Sequence, residues 1–442
     1  MKKHKYISLV FLIMIIGLSS NLNASTIVRY VTVAGGIKGQ DGLSWETAAV
    51  GNSTSIQAQI DAVNENAERG EVRFGAGTYS LAATITLKDG ANLIGAFPAI
   101  PVSGKKDARN LSVNKTIFDG GGVRKLFNAP DGEGIVYSHI TLLDGLILQR
   151  GYSNYGSAIT ISYGFVLENC IIRNNRSTGS MGSAIRIYRN SAGIKEDPGE
   201  DQTRKTGAAL INCLIVNNST TKGAAAITIE GLCNSSIINC VIANNKTTDE
   251  TLLKVRNVNA RGYYPGGVMM GRYSQNSRIA NNIFYNNAAF KDADKHIGAV
   301  FTVNNIYSNY FDGDQAWKDS VAVYCETPAN NKNGYYRNFA KQGNKCGVDF
   351  EASNIFVAPN TILGCGTTQA EIDAINNSDW HLKVGSPCIE GGKSNTAEVT
   401  YPYSVLFGSA RVYSTILTDL DGKTRVSGNA PDMGSYEFSS DK

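Results

Sequence analysis

Asn169-Cys170-Ile171-Ile172-Arg173-Asn174-Asn175 is one copy of a phrase that this chain repeats. It returns as Asn212-Cys213-Leu214-Ile215-Val216-Asn217-Asn218, as Asn239-Cys240-Val241-Ile242-Ala243-Asn244-Asn245 and as Asn281-Asn282-Ile283-Phe284-Tyr285-Asn286-Asn287. A degraded copy, Asn304-Asn305-Ile306-Tyr307-Ser308-Asn309, closes the series. A second phrase interleaves with it: Gly156-Ser157-Ala158-Ile159-Thr160-Ile161, Gly182-Ser183-Ala184-Ile185-Arg186-Ile187, Ala225-Ala226-Ile227-Thr228-Ile229 and Gly267-Val268-Met269-Met270. Ala158 to Ala184 is 26 residues, Cys213 to Cys240 is 27, Cys170 to Cys213 is 43 and Cys240 to Asn282 is 42. A coil of about 26 residues with occasional insertions of about 16 accounts for all four spacings.

Each phrase is short, rich in β-branched residues and followed by Gly, Asn or Ser, the pattern of a strand ended by a turn. Short strands repeated in register build a solenoid in which each coil pairs with the next, about 4.8 Å away. Equivalent positions then lie above one another. Repeated Ile fills the interior as a column, repeated Asn at a bend forms an amide ladder, and Ala158, Ala184 and Ala226 suit the corners. Near constant register across five copies argues against chance similarity between the strands of a β-sandwich. The expected fold class is all-β, a parallel β-helix solenoid with a short N-terminal capping helix. That helix is expected where Ser55 can cap a turn carrying Ile56, Ile60, Val63 and Ala67 at helical spacing, with Gly70 ending it. Strands should follow at Val72-Arg73-Phe74, Tyr79-Ser80-Leu81, Thr84-Ile85-Thr86-Leu87 and Asn92-Leu93-Ile94.

The first residues read as a secretory signal peptide: Lys2, Lys3 and Lys5, an apolar run from Ile7 to Leu18, and a small residue at Ala24. The run is shorter than the roughly 20 residues a membrane-spanning helix needs. Cleavage there implies a secreted, periplasmic, cell-surface or extracellular protein with no integral membrane segment left. The formal charge of +4 falls to about +1 without the leader, because residues 1–24 carry three Lys and no acid. That balance excludes nucleic acid held by charge alone. Of the eight Cys, residues 170, 213 and 240 recur inside the repeat and read as a buried column of thiols; residues 325, 346, 365 and 388 are the better disulfide candidates.

Tyr30-Val31-Thr32-Val33, Asp41-Gly42-Leu43-Ser44-Trp45, Gly75-Ala76-Gly77-Thr78-Tyr79 and Thr116-Ile117-Phe118-Asp119-Gly120-Gly121 resemble the opening coils of bacterial secreted proteins with the pectin-lyase-like, right-handed parallel β-helix fold. Trp380-His381-Leu382, Gly385-Ser386-Pro387-Cys388-Ile389, Asp419-Leu420-Asp421-Gly422, Arg425 and Asp432-Met433-Gly434-Ser435-Tyr436-Glu437 resemble the ending called the choice-of-anchor Q domain. The resemblance implies a right-handed β-helix over residues 25–375 with its N-terminal cap, and a C-terminal module over 376–442 packed on it. It implies no single activity, because this fold hosts polysaccharide lyases, glycoside hydrolases, tailspikes and adhesins. The Asn-Thr-Asp, Asp-Asp and Gly-His-Gly of polygalacturonase-type enzymes are missing, as are the Asp-His pair and Arg-x-Pro-x-x-Arg run of the best-known pectate lyases.

Strand alternation places Ile185 and Ile187 inward, which turns Arg186 and Tyr188 outward. The register then stacks Thr160, Arg186, Thr228 and Met269 in one exposed column, and Ser162, Tyr188 and Glu230 in the next. Guanidinium and phenol together suit an acidic sugar chain, the one for carboxylates and the other for ring faces. Of two insertions, about 190–206 and 246–266, the first is rich in charge and the second supplies Lys254, Arg256, Arg261, Tyr263 and Tyr264, with Arg272 just beyond. Lys254, Arg256, Arg261 and Arg272 are the basic candidates for a lyase, with Tyr263 or Tyr264 as the acid. Glu230 with Asp197 or Asp201 is the one carboxylate pair available to a hydrolase. Asp419-Leu420-Asp421-Gly422 has the alternating acids that wrap calcium; lacking a following bidentate Glu, it reads better as a turn held by Arg425 and Asp432. No other cofactor is implied. The expected function is an exported protein that engages a polysaccharide or cell-surface glycan, with lyase chemistry on uronate-containing glycans as its catalytic form. The alternative is a non-catalytic cell-surface or adhesin-like structural protein.

Overall fold

The computed structural model describes residues 27–64, 70–99, 108–130, 139–162, 164–179, 182–188, 206–230, 234–248, 253–254, 261–262, 265–270, 278–288, 300–302, 322–323, 345–346, 352–392, 418–425 and 428–439. The expected leader and the copy at 304–309 lie outside them. Among the described residues the chain is an all-β parallel solenoid of three long sheets and one short one. A complete coil runs Phe165–Glu168 on the first sheet, Ile171–Arg173 on the second, Arg176–Ser177 on the short sheet and Ile185–Ile187 on the third. The next coil begins at Thr206 and pairs with it in parallel. The expected early strands are present at Gly70–Gly75, Gly77–Ser80, Ile85–Thr86 and Ala91–Phe97.

The repeated phrase is the second-sheet strand with its two corners. Ile171 pairs with Ile147 and Leu214, Leu214 with Val241, and Val241 with Ile283. One residue along, Ile172, Ile215, Ile242 and Phe284 are buried in the interior. The Asn residues do two jobs. Asn169, Asn212, Asn239 and Asn281 at one corner, and Asn174, Asn217, Asn244 and Asn286 at the other, all have φ between 48° and 55°. This left-handed region costs most L-residues about 1–2 kcal/mol, and Asn tolerates it best after Gly. Gly145 (φ 72°) stands at the equivalent place one coil earlier. The last Asn of each phrase forms the ladder: Asn175 Nδ2 donates to Asn218 Oδ1 (3.0 Å), Asn218 Nδ2 to Asn245 Oδ1 (2.9 Å) and Asn245 Nδ2 to Asn287 Oδ1 (2.9 Å).

Cys170, Cys213 and Cys240 form the expected interior column, each with no exposed surface and a free thiol. Cys213 Sγ donates to Leu167 O and Cys240 Sγ to Leu210 O, on the neighbouring coil. Burial drives the thiols of Cys170 and Cys213 well above the ordinary range, and it is the thiolate that reacts. Differential alkylation with peptide mass spectrometry should leave these three unlabelled in the native chain and label all three after denaturation; labelling of Cys213 before unfolding would contradict the column. Cys365 also carries a free thiol, Cys388 is buried, Cys346 is described by its backbone alone, and Cys325 lies outside the described residues.

Helix α1, Ser53–Asn64, buries Ile56, Ile60 and Val63 in the same core cluster as Val31, Val72 and Leu93. Each such side chain contributes roughly 1.5–3 kcal/mol. Its cap is one turn earlier than expected: the Asn52 side chain accepts the Ser55 N–H at 2.9 Å. Ser53 is buried instead, its hydroxyl accepting the N–H groups of Ala82 and Ala83. Gly70 opens a strand rather than ending the helix, and glycine is needed there because a Cβ would meet Val63 Cβ at 2.4 Å. Ala67 lies outside the described residues.

The C-terminal body already includes residues ahead of 376. Helix α2 (Ala352–Ile355) leads into Phe356–Ala358, which pairs antiparallel with Asp379–Leu382; helix α3 (Gln369–Asn376) lies between them. Phe356, Trp380, Leu382, Cys388, Leu420, Met433 and Tyr436 pack on Leu214, Val216, Val241, Ala243 and Ile283, the outward side chains of the second sheet. Polar contacts fix the seat. Asn360 Oδ1 accepts from both Asn217 and Asn244, Gly364 N–H donates to Asn244 O, and Gly366 N–H donates to Asn174 Oδ1. Arg425, 2% exposed, donates to Asn212 Oδ1 and Gly434 O, both at 2.7 Å.

Candidate functional site

The third sheet carries the expected register: Thr160 pairs with Arg186, Arg186 with Thr228 and Thr228 with Met269. Its exposure differs from expectation. Thr160, Thr228 and Met269 are buried and Arg186 alone of the four is half-buried. Tyr188 is a second correction. It does not face outward but is 1% exposed, its hydroxyl donating to the carbonyls of Ala129 (3.1 Å) and Pro130 (2.5 Å). The strand ends at Ile187, so the two-residue alternation stops there and Tyr188 turns into the core. Ser162 is likewise buried. Glu230 is half-buried and bound to Arg186, whose Nε and Nη2 lie 2.7 and 2.6 Å from its Oε1.

Of the basic-aromatic insertion, the backbones of Lys254 and Arg261 pair in a two-strand antiparallel ribbon, Leu253–Lys254 with Arg261–Gly262. Arg256, Tyr263, Tyr264 and Arg272 lie outside the described residues, as do Asp197 and Asp201.

Around Arg186 the structure gathers residues that sequence reasoning passed over. Its guanidinium lies 5.1 Å from the ring centre of Tyr155 and 5.4 Å from that of Tyr188, within cation–π range. Lys125 Nζ donates to Thr160 Oγ1 (2.8 Å) and Asn128 Oδ1 (3.1 Å). Burial, reinforced by the charge of Arg186, lowers the Lys125 pKa to about 8. Tyr155 and Tyr152 are more than a third exposed, at 38% and 37%. Tyr152 pairs with the exposed Arg176 on the short sheet, and Arg176 with Ser219. A signal for Arg176 was in the repeat: the residue directly after the Asn-Asn pair starts a short-sheet strand in the first three copies, and Tyr152 holds that place one coil earlier.

A second cluster lies where the C-terminal body meets the second sheet. A cleft of about 240 Å³ has Ile117, Ile147, Ile171 and Leu214 as its floor, with Lys115 and Arg173 beside them and Asn376, Asp379, Trp380, His381 and Tyr436 opposite. His381 is held from both sides, Nδ1 by Asp379 (2.5 Å) and Nε2 by Asp421 (2.8 Å), and its ring lies 4.0 Å from that of Tyr436. Burial works to lower the His381 pKa, but the two carboxylates outweigh it and the net direction is upward, favouring the imidazolium. Arg173 donates to Gln149 Oε1 and Asn376 O. The alternating acids at 419 and 421 are taken up within the fold: Asp419 Oδ1 accepts the N–H groups of Asp421 and Lys423, its Oδ2 that of Glu437, and Asp421 holds His381.

Among the described residues no helix is long and apolar enough to cross a membrane. No protein-family model and no curated protein matches the chain. Among solved structures it is similar to ORF18 of Geobacillus virus E2, with 13% identity and a TM-score of 0.19, over 69% of this chain and 65% of that one. The chain thus spans just under two thirds of that protein's length.

Proposed function

We propose that this chain is an exported right-handed parallel β-helix, closed at its first coil by α1, that binds an acidic polysaccharide across Tyr152, Tyr155, Arg176, Arg186 and Lys125. The observation that carries the reading is the Arg186 guanidinium within cation–π range of both the Tyr155 and Tyr188 rings, with Lys125 near enough to feel its charge. Exposed phenol faces take sugar rings, and the cations take carboxylates or sulfates. The C-terminal body is the choice-of-anchor Q-like module, and it leaves this surface uncovered at Tyr152 and Tyr155. Glycan arrays or affinity electrophoresis with the mature chain should show retention by uronate polymers that salt weakens. Tyr155→Ala with Arg176→Gln should reduce affinity about tenfold without moving the melting temperature, whereas Tyr188→Phe, which only trims a buried hydroxyl, should leave binding intact. Unchanged retention in the double variant would remove this surface from consideration.

The lowered pKa of Lys125 favours one catalytic form of this reading, β-elimination. The neutral amine takes the proton alpha to a uronate carboxylate, a carbon–carbon double bond forms toward the neighbouring carbon, and the glycosidic oxygen leaves and is protonated by solvent. No oxidant enters. Cleavage should then produce absorbance of unsaturated uronate, rise with pH through about 8 as Lys125 loses its proton, and vanish in Lys125→Met. Binding with no new absorbance or reducing ends across a broad panel, with and without calcium, would leave the adhesive surface protein as the function.

A further inference from the structure

His381 joins two segments of the C-terminal body at a contact that suits only one of its protonation states. It stands in the strand Asp379–Leu382, with Nδ1 2.5 Å from Asp379 Oδ1 and Nε2 2.8 Å from Asp421 Oδ2. Asp379 belongs to the same strand, whereas Asp421 comes from a turn some forty residues later, at an |i−j| of 40. The neighbours of both are seated on the solenoid. Trp380, Leu382 and Leu420 are buried in one apolar cluster with Leu214, Val241 and Ile283 of the second sheet. The Nε2 contact therefore ties together two segments that each rest on the solenoid.

A neutral imidazole has one N–H donor and one bare lone pair; the imidazolium has two donors. Only the imidazolium satisfies both carboxylates, so loss of the proton sets a lone pair against one of them. Asp379 is held in place, because its Oδ1 also accepts the His381 backbone N–H at 2.9 Å. Asp421 has little water to turn to, its side chain being 10% exposed against 37% for Asp379. Burial pushes the Asp421 pKa up, but His381, Lys423 and Lys115 outweigh it and keep the group ionised. Lys423 Nζ lies 3.9 Å from Asp421, and Lys115 and Arg173 line the same cleft from the solenoid. On the far side of the ring is Tyr436, at 4.0 Å, whose buried phenol is pushed up and stays neutral. Asp419 is occupied by backbone N–H groups.

We propose that His381 is a proton-operated clasp: as the imidazolium it ties the strand Asp379–Leu382 to the turn at Asp421 and holds the C-terminal body on the second sheet, and on losing its proton it lets that body loosen from the solenoid. A histidine raised in the folded chain contributes stability that is complete below its unfolded pKa and is lost as pH rises through the folded one. The clasp therefore eases above about pH 6.5, on the alkaline side of an ordinary imidazole. Asp421, held low, sets the opposite limit: its share is lost only as pH falls below the ordinary carboxylate range. The clasp is separate from the Tyr152–Arg186 surface and stands whether or not that surface binds a polymer.

Two measurements on the full mature chain test this. Imidazole NMR, with the His381 signal assigned by its loss in His381→Gln, should give a titration midpoint above the ordinary value of about 6.5. Hydrogen exchange by mass spectrometry, corrected for intrinsic rates, should show the opening constant of peptides 379–382 and 418–423 rising about fivefold or more between about pH 6 and about pH 8.5. Solenoid peptides carrying Leu146–Gln149 and Ile171–Arg173 should not follow. His381→Gln, which like neutral imidazole offers one carboxylate a donor, should open as readily at pH 6 as the parent does at pH 8.5, with no further rise. Asp421→Asn keeps the histidine and should lower its midpoint while flattening the exchange profile. Lys125, at about 8, titrates in the same range but lies beside the third sheet, and its effect persists in His381→Gln. A His381 midpoint at or below about 6.5, or the same pH dependence of opening in the parent and in Asp421→Asn, would overturn the clasp.

Discussion

Arg425→Met is expected to lower the stability of the folded chain by about 3–5 kcal/mol, the cost of removing one partner from a buried ion pair. Arg425 and Glu437 are 2% and 4% exposed, and their side chains approach to 3.5 Å. The guanidinium also donates to Asn212 Oδ1 on the solenoid and to Gly434 O on the C-terminal body, so one side chain bonds both. Met fills much of the volume but carries no charge. Glu437 and the neighbouring buried Asp419 and Asp432 would then face one another without their cation. The expected sequence is loosening of the C-terminal body before the coils, seen as a red shift of Trp380 emission at lower denaturant than the loss of β-signal. Arg425→Met with Glu437→Gln should recover part of the loss. A change below 1 kcal/mol in urea denaturation would show that the pair does not fasten the body.

Asn218→Ala should cost about 3 kcal/mol, in the upper part of single-substitution effects. The side chain makes four hydrogen bonds with no exposed surface. Its Oδ1 accepts from the backbone N–H and Nδ2 of Asn175, and its Nδ2 donates to Ile172 O and Asn245 Oδ1. Ala removes all four and leaves the Asn175 N–H stranded in the interior, at about 1–3 kcal/mol for such a group alone. Asn218→Asp keeps the acceptor, loses both donors and buries a charge, so it should be worse than Ala. The control is Arg176→Ala, exposed one coil away, expected within about 0.5 kcal/mol of the parent. If the denaturation midpoints of Asn218→Ala and Arg176→Ala coincide, the ladder is not what secures the corner.

The parts of this molecule visible in the sequence are those that repeat. A solenoid converts equivalence along the chain into adjacency along its axis, so spacing alone located the Cys170–Cys213–Cys240 column and called for an Asn ladder at a bend, without saying which Asn of each phrase forms it. The register of Thr160, Arg186, Thr228 and Met269 followed from the same arithmetic. Where local geometry breaks the period, the reading failed. Tyr188 lies one residue past the end of its strand, and alternation says nothing there. Asn52 caps α1 because the helix begins earlier than its apolar spacing shows. The cleft was invisible for a different reason: Lys115, Arg173, Asn376 and Trp380 come from distant parts of the chain, and no periodicity links them. Trp380-His381-Leu382 was noticed as a family phrase, but nothing in the phrase says which sheet it will face.

The stretch from Asn360 to Gly366 crosses the corners of three successive coils, touching Asn244, Asn217 and Asn174 in turn. Nearest-neighbour stacking by itself sets no limit on length, which is why solenoids gain and lose whole coils by duplication and deletion. Here that freedom is local. A coil duplicated between Asn217 and Asn244 would separate those side chains by a further strand spacing of about 4.8 Å, beyond the reach of one Asn360 amide. Coils ahead of Asn174 lie beside the C-terminal body at the cleft but carry no corner hydrogen bond to residues 360–366 among the described residues. Homologues of different length should therefore vary in coil number on the N-terminal side of Asn174 and keep the three gauged coils constant.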